Sequence, residues 1–137
     1  MKKWAFVLVA AAGIGAACGK PTAPAPAFTV EAAPVAAKTG EKTQALLRFV
    51  PREGLHWNDE FPAKAKLDAT AGLEAEKSVF LAEDFKIDGK AGTLAIPMIA
   101  RQAGAMKLHA QTDFAMCDEK GCQFFRGVPV EVEVNVQ

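Results

Sequence analysis

Cys117 and Cys122 frame the stretch Cys117-Asp118-Glu119-Lys120-Gly121-Cys122, followed by Gln123-Phe124-Phe125. Two thiols so spaced can form a permanent bridge, hold a soft metal, or form a disulfide that opens and closes. As a permanent bridge the pair is weak. Closing a ring of about six residues restrains the unfolded chain by roughly 2 kcal/mol, against about 4.7 kcal/mol for a hundred-residue loop. A fold in need of a staple gains more by tying distant strands together, so ring size favours exchange. As a metal clip the pair would need Met116, Met106 or His109 as further soft ligands. Strand alternation turns both methionines away from the cysteines and leaves His109 far along the strand. Two thiolates alone make a poor closed zinc site, and no metal or other cofactor is expected.

The charges around the pair set its reactivity. Asp118 and Glu119 disfavour a Cys117 thiolate, while Lys120 and Arg126 oppose them. No histidine neighbours either cysteine in sequence and no helix N-terminus is at hand, so the usual means of lowering a thiol pKa are missing. The expected behaviour is a disulfide attacked by a partner's thiolate. Cys122, without acidic neighbours in sequence, is the preferred target.

The elements that carry the pair read as strands. Met106, Leu108, Ala110, Thr112, Phe114 and Met116 alternate with mostly polar residues, and Val128, Val130, Val132, Val134 and Val136 do the same. Each is the pattern of a strand with one buried face. Residues 118–121 then form a hairpin loop that sets Cys117 opposite Cys122, with Cα atoms expected about 4.5–5.5 Å apart. Ala115 faces Phe124 and Asp113 faces Arg126 on the cysteine side, the latter as a cross-strand ion pair. Phe125 is out of phase with the valine run, which predicts a bulge near Arg126 and Gly127. Further strands are expected over 44–50, 55–58, 63–69, 73–81 and 93–100, with a short helix as the alternative over 73–85. Short strands separated by Gly-containing turns predict an all-β, immunoglobulin-like sandwich.

The start of the chain has a different character. Lys2 and Lys3, an apolar run and small residues lead to Cys18, the pattern of a secretory signal over residues 1–17 with a lipidation site at Cys18. Acylation would remove what is otherwise an odd thiol in an exported protein. Residues 18–42, rich in Ala and Pro, read as a flexible tether. The domain follows over 43–137, with Phe28 as the alternative start. These features predict a lipid-anchored protein in a Gram-negative-type cell envelope, with outer-membrane sorting indicated by Lys20. The chain has 16 basic and 16 acidic residues. Losing Lys2 and Lys3 leaves fourteen basic against sixteen acidic, a net charge of about −2, and no basic patch interleaved with aromatics points to nucleic acid. His56 and His109 are the only histidines, and neither GxSxG nor HExxH occurs, so hydrolase chemistry is not indicated.

The Cys117-x4-Cys122 pair before a valine-rich last strand resembles the N-terminal periplasmic, disulfide bond corrector domain family of the thiol:disulfide interchange protein DsbD. Gly-Leu-His-Trp-Asn-Asp-Glu-Phe-Pro (54–62) is similar to that family's Gly-aromatic segment, and residues 82–100 to its cap loop and following strand. The resemblance implies an immunoglobulin-like domain with a reversible Cys117–Cys122 disulfide. It implies a DsbD-like membrane or thioredoxin-like electron donor and oxidised exported proteins as acceptors. It also implies an aromatic shield, with Phe85 as candidate beside Glu83 and Asp84, Phe124 as a second candidate, and His56 or Trp57 near the site. Better-known members have one more residue between the cysteines, prolines after the second, and tyrosines near the site; this chain has no Tyr. The competing expectation is a non-enzymatic lipoprotein module for binding or structure, with the bridge as a hairpin clamp.

Overall fold

The computed structural model describes residues 26–137; the expected signal segment, the Cys18 lipidation site and the first part of the tether lie outside the described residues. The strands are β1 (Phe28–Ala32), β2 (Val35–Ala37), β3 (Lys42–Pro51), β4 (His56–Trp57), β5 (Lys64–Leu67), β6 (Leu73–Ala75), β7 (Val79–Leu81), β8 (Phe85–Asp88), β9 (Ala91–Ala100), β10 (Gly104–Cys117) and β11 (Cys122–Val136). One sheet runs β1-β3-β9-β6, with β8 also on β9, and the other runs β2-β11-β10-β5-β7, with β4 also on β10. All pairs are antiparallel except β2 with β11. The two sheets face each other as an immunoglobulin-like β-sandwich.

Paired strands begin at Phe28, so residues 28–37, expected within the tether, belong to the sheets. The alternation that buries Val35 and Ala37 is short and interrupted by Pro34, which hid it. The expected single strand over 73–81 is two strands in different sheets, β6 on β9 and β7 on β5. The helical alternative shrinks to a 3-10 turn at Ala82–Asp84. From there the chain crosses to β8.

The core forms where the alternating faces meet. Leu47 and Phe49 of β3, Leu94 and Ile96 of β9, Phe114 and Met116 of β10, and Val132 and Val134 of β11 are fully buried. Each such side chain contributes roughly 1.5–3 kcal/mol relative to exposure. At the end where β10 stops, the filling is aromatic. Trp57 stacks on Phe114 at 5.3 Å and on Phe85 at 5.3 Å, Phe49 lies 5.5 Å from Trp57, and Phe28 meets both Phe114 and Phe125 edge-on. Gly92 of β9 provides the room for Trp57, because a Cβ there would overlap the indole ring. Gly92→Ala is therefore expected to cost about 1–3 kcal/mol in denaturant unfolding, as overpacking does, and an unchanged midpoint would show the indole free to move aside.

The β10–β11 hairpin keeps its expected register at the tip and its bulge. Thr112 lies opposite Val128, but Phe114 lies opposite Phe125, so Arg126 and Gly127 together oppose Asp113. Gly127 adopts φ +62°, a left-handed conformation that glycine takes without strain. Its N–H donates to the Asp113 carboxylate at 2.7 Å. That bond replaces the expected Asp113–Arg126 ion pair, and the Arg126 guanidinium instead lies 5.8 Å from the centre of the Phe61 ring. The bulge is what turns Phe124 outward and Val128 inward on one strand.

Candidate functional site

Cys117 ends β10 and Cys122 begins β11, directly opposite each other, and the two form a disulfide. The loop between them is held by its own first residue. The Asp118 carboxylate accepts the N–H groups of Lys120 at 2.8 Å and Gly121 at 2.9 Å, while the Asp118 N–H donates to the Gly121 carbonyl at 2.8 Å. That last bond makes Cys117 and Cys122 a non-hydrogen-bonded pair, the closely approaching kind in an antiparallel ladder. Their Cα atoms are 3.9 Å apart, closer than the range expected from the sequence.

Period-two alternation divides the surroundings into two faces. Phe114 and Met116 point into the core, so Met116 is turned away from the sulfurs. Ala115 and Cys117 point outward with Cys122, Phe124 and Arg126. Here the outer face is also covered, since Ala115 is fully buried and Cys117 is only 6% exposed. Residues 58–62, between β4 and β5, run along this face. The Asn58 N–H donates to the Ala115 carbonyl at 3.0 Å, and its side-chain amide lies 3.8 Å from Cys122 Sγ. The same side chain accepts the Glu60 N–H at 2.9 Å, which turns the segment back over the sheet. Phe61 then reaches Phe124, with ring centres 5.5 Å apart. Cys122 remains exposed. The bridge therefore joins one buried and one exposed residue.

His56 is set beside the bridge by β4. β4 pairs with the end of β10 so that Trp57 opposes Met116 and His56 opposes Cys117. Opposed side chains share a face, with Cβ atoms about 4.5–5.5 Å apart, so the exposed imidazole sits beside the buried cysteine. No histidine is adjacent to either cysteine in sequence, and the register of β4 on β10 sets His56, expected at the periphery of the site, opposite Cys117. The signal available was Trp57, an apolar residue in a two-residue strand, which requires His56 to face the other way.

The remaining site residues are spread more widely. Phe124 lies on the bridge's face, two residues from Cys122, and is 61% exposed. Phe85 is partly buried against the core, with Trp57 and Phe49 as ring neighbours. Phe61, which the sequence did not single out, is a second ring on the bridge's face, against Phe124. Glu83 and Asp84 belong to the 3-10 turn before β8. Asp84 accepts from Lys77 Nζ at 2.6 Å and from the Leu81 N–H at 2.8 Å, and these two contacts hold its carboxyl below the ordinary carboxylate value. A lowered folded pKa adds stability at neutral pH that is lost as pH falls through it, so this carboxylate anchors the turn.

No family profile and no curated protein matches the sequence. Solved structures resemble the fold. They include the S-layer protein SbsC domains 4 and 5 (14% identity, TM-score 0.43, 80% of this chain and 50% of that one). A cohesin–dockerin complex of Clostridium thermocellum also matches (14% identity, TM-score 0.44, 82% of this chain and 100% of that one). So does AggA, the major subunit of aggregative adherence fimbriae of Escherichia coli (15% identity, TM-score 0.38, 80% and 94%). The chain spans half the length of the S-layer fragment it matches. These likenesses carry no argument about chemistry.

Proposed function

We propose that this chain is an exported, lipid-anchored thiol–disulfide exchange domain working through the Cys117–Cys122 disulfide. The observation that carries the reading is the asymmetry of the bridge: Cys117 is buried and Cys122 is exposed. A partner thiolate attacks Cys122 Sγ, forming a mixed disulfide as the Cys122–Cys117 bond breaks. Cys117 departs with the electron pair as a thiolate and then takes up a proton. The partner's second thiol, once deprotonated, attacks its own sulfur in the mixed disulfide and releases the Cys122 thiolate, which takes a proton from water. Two electrons and two protons have then moved from the partner dithiol to the domain. The reverse sequence passes them to an oxidised exported protein. The first leg suits a DsbD-like membrane protein or a thioredoxin-like donor, which is what the sequence resemblance implies. Anchoring through Cys18 at the periplasmic face of the outer membrane would hold the domain where such acceptors pass.

The reading has a direct kinetic test. With a reduced thioredoxin-fold protein as donor, the bridge of the full chain is expected to open at least tenfold faster, per thiolate, than with dithiothreitol. Equal rates would mean that no docking surface for a protein donor surrounds the bridge, and the hairpin-clamp reading would stand instead.

A further inference from the structure

We infer that His56 is the proton partner of Cys117, assisting departure of the Cys117 sulfur when the bridge is opened and its return when the bridge reforms. The inference rests on the exchange reading above and adds a residue to it. Its basis is the strand register: His56 is the cross-strand neighbour of Cys117, on the same face, held there by the pairing of Trp57 with Met116. The Trp57 N–H also donates to the Lys90 carbonyl at 2.8 Å, so β4 is fixed on its other edge too. The imidazole is thus presented by a pinned strand and not by a loose loop.

The chemistry follows from which sulfur must leave. Attack falls on the exposed Cys122, so the leaving thiolate forms at Cys117, a buried position where a bare negative charge is disfavoured. An imidazolium on the adjoining strand stabilises that charge and then gives its proton to the sulfur, leaving neutral imidazole and a Cys117 thiol. In the reverse direction neutral imidazole takes the proton back as Cys117 attacks the mixed disulfide at Cys122. No other oxidant, reductant or cofactor enters either step.

Other charged groups lie on the elements around His56. On the segment of His56 they are Arg52, Glu53, Asp59 and Glu60; from the β10–β11 loop they are Asp118, Glu119 and Lys120; from the β8–β9 turn they are Asp88 and Lys90. Imidazole is the side-chain type whose charge ordinarily changes between about pH 5 and 8, which makes pH the variable of the test. His109, the other histidine, lies eight positions back along β10, roughly 25 Å away at the usual strand rise, with Nδ1 3.9 Å from Glu131.

The test follows reduction of the full chain by dithiothreitol between pH 5.5 and 8.5, with each rate divided by the thiolate concentration. A neighbouring cation lowers a thiol pKa by about 1–3 units. With a leaving-group dependence of the order seen for thiol exchange, the expected acceleration is roughly three- to tenfold. The wild-type rate should therefore fall about that much from pH 6 to pH 8. His56→Gln should be flat and as slow as wild type at high pH, and His56→Lys should be fast and flat. Unfolding midpoints of both variants should stay near wild type, because the side chain is exposed. Superimposable profiles for wild type and His56→Gln overturn the inference while leaving the exchange reading intact. A bridge that dithiothreitol cannot open in the folded protein overturns both.

Discussion

Cys117→Ser is expected to accumulate mixed disulfides with exported proteins through Cys122, and Cys122→Ser is expected to accumulate at least tenfold less. The difference comes from burial. Removing Cys117 leaves an exposed thiol without its resolving partner, so a mixed disulfide once formed is not cleared from within the molecule. Removing Cys122 leaves only Cys117, which is 6% exposed and lies opposite His56 of β4. Acid quenching of the exported fraction, non-reducing electrophoresis and mass spectrometry of the trapped bands measure the yield for each variant. Equal yields would mean that Cys117 is as accessible as Cys122 and that the asymmetry of the bridge has no kinetic meaning. No adducts from either variant would remove the main support for exchange.

Trp57→Ala is expected to destabilise the domain by about 3–5 kcal/mol, the usual cost of removing a buried aromatic. Trp57 is 4% exposed and touches Phe49, Phe85 and Phe114. A small domain has roughly 5–15 kcal/mol in total, so the variant should approach the edge of stability. Its thermal midpoint should fall by more than 10 °C, given about 4–8 °C per kcal/mol at this size. The same change removes the side chain that keeps β4 against β10, so the pH dependence assigned to His56 should weaken in parallel. Urea unfolding and the reduction profile can be taken on one preparation. A loss below about 1 kcal/mol would mean that Phe85 and Phe114 close over the gap, and that β4 is held by its backbone bonds alone.

The parts of this structure legible in the sequence are those with long, regular alternation. β10 and β11 run for fourteen and fifteen residues, and their pattern gave the hairpin, the facing cysteines and the bulge at Arg126 and Gly127. Phase arithmetic sufficed there because each strand carries one continuous apolar face. Elements of two to five residues were harder. β1, β2 and β8 are too short for a period to establish itself, and their place depends on tertiary pairing with β3, β11 and β9. The site was half legible for the same reason. Cys117, Cys122 and Phe124 come from the hairpin, whereas His56, Asn58 and Phe61 arrive from a segment about sixty residues upstream. Only the pairing of β4 with β10 brings them in, and no local pattern encodes it. Phe85 shows the opposite case, an aromatic that family likeness placed over the sulfurs and that the sandwich uses as packing under Trp57.

The central claim is that the Cys117–Cys122 bridge exchanges in the folded protein, and its reduction potential is the most direct measure. Equilibration of the full chain with glutathione or dithiothreitol buffers at pH 7, read by thiol alkylation and mass spectrometry, gives the value. Exchange predicts a potential more oxidising than about −300 mV, within the roughly −120 to −270 mV spanned by protein thiol–disulfide catalysts. A value below about −300 mV, where structural disulfides of secreted proteins lie, would contradict the account and leave the bridge as a clamp on its hairpin.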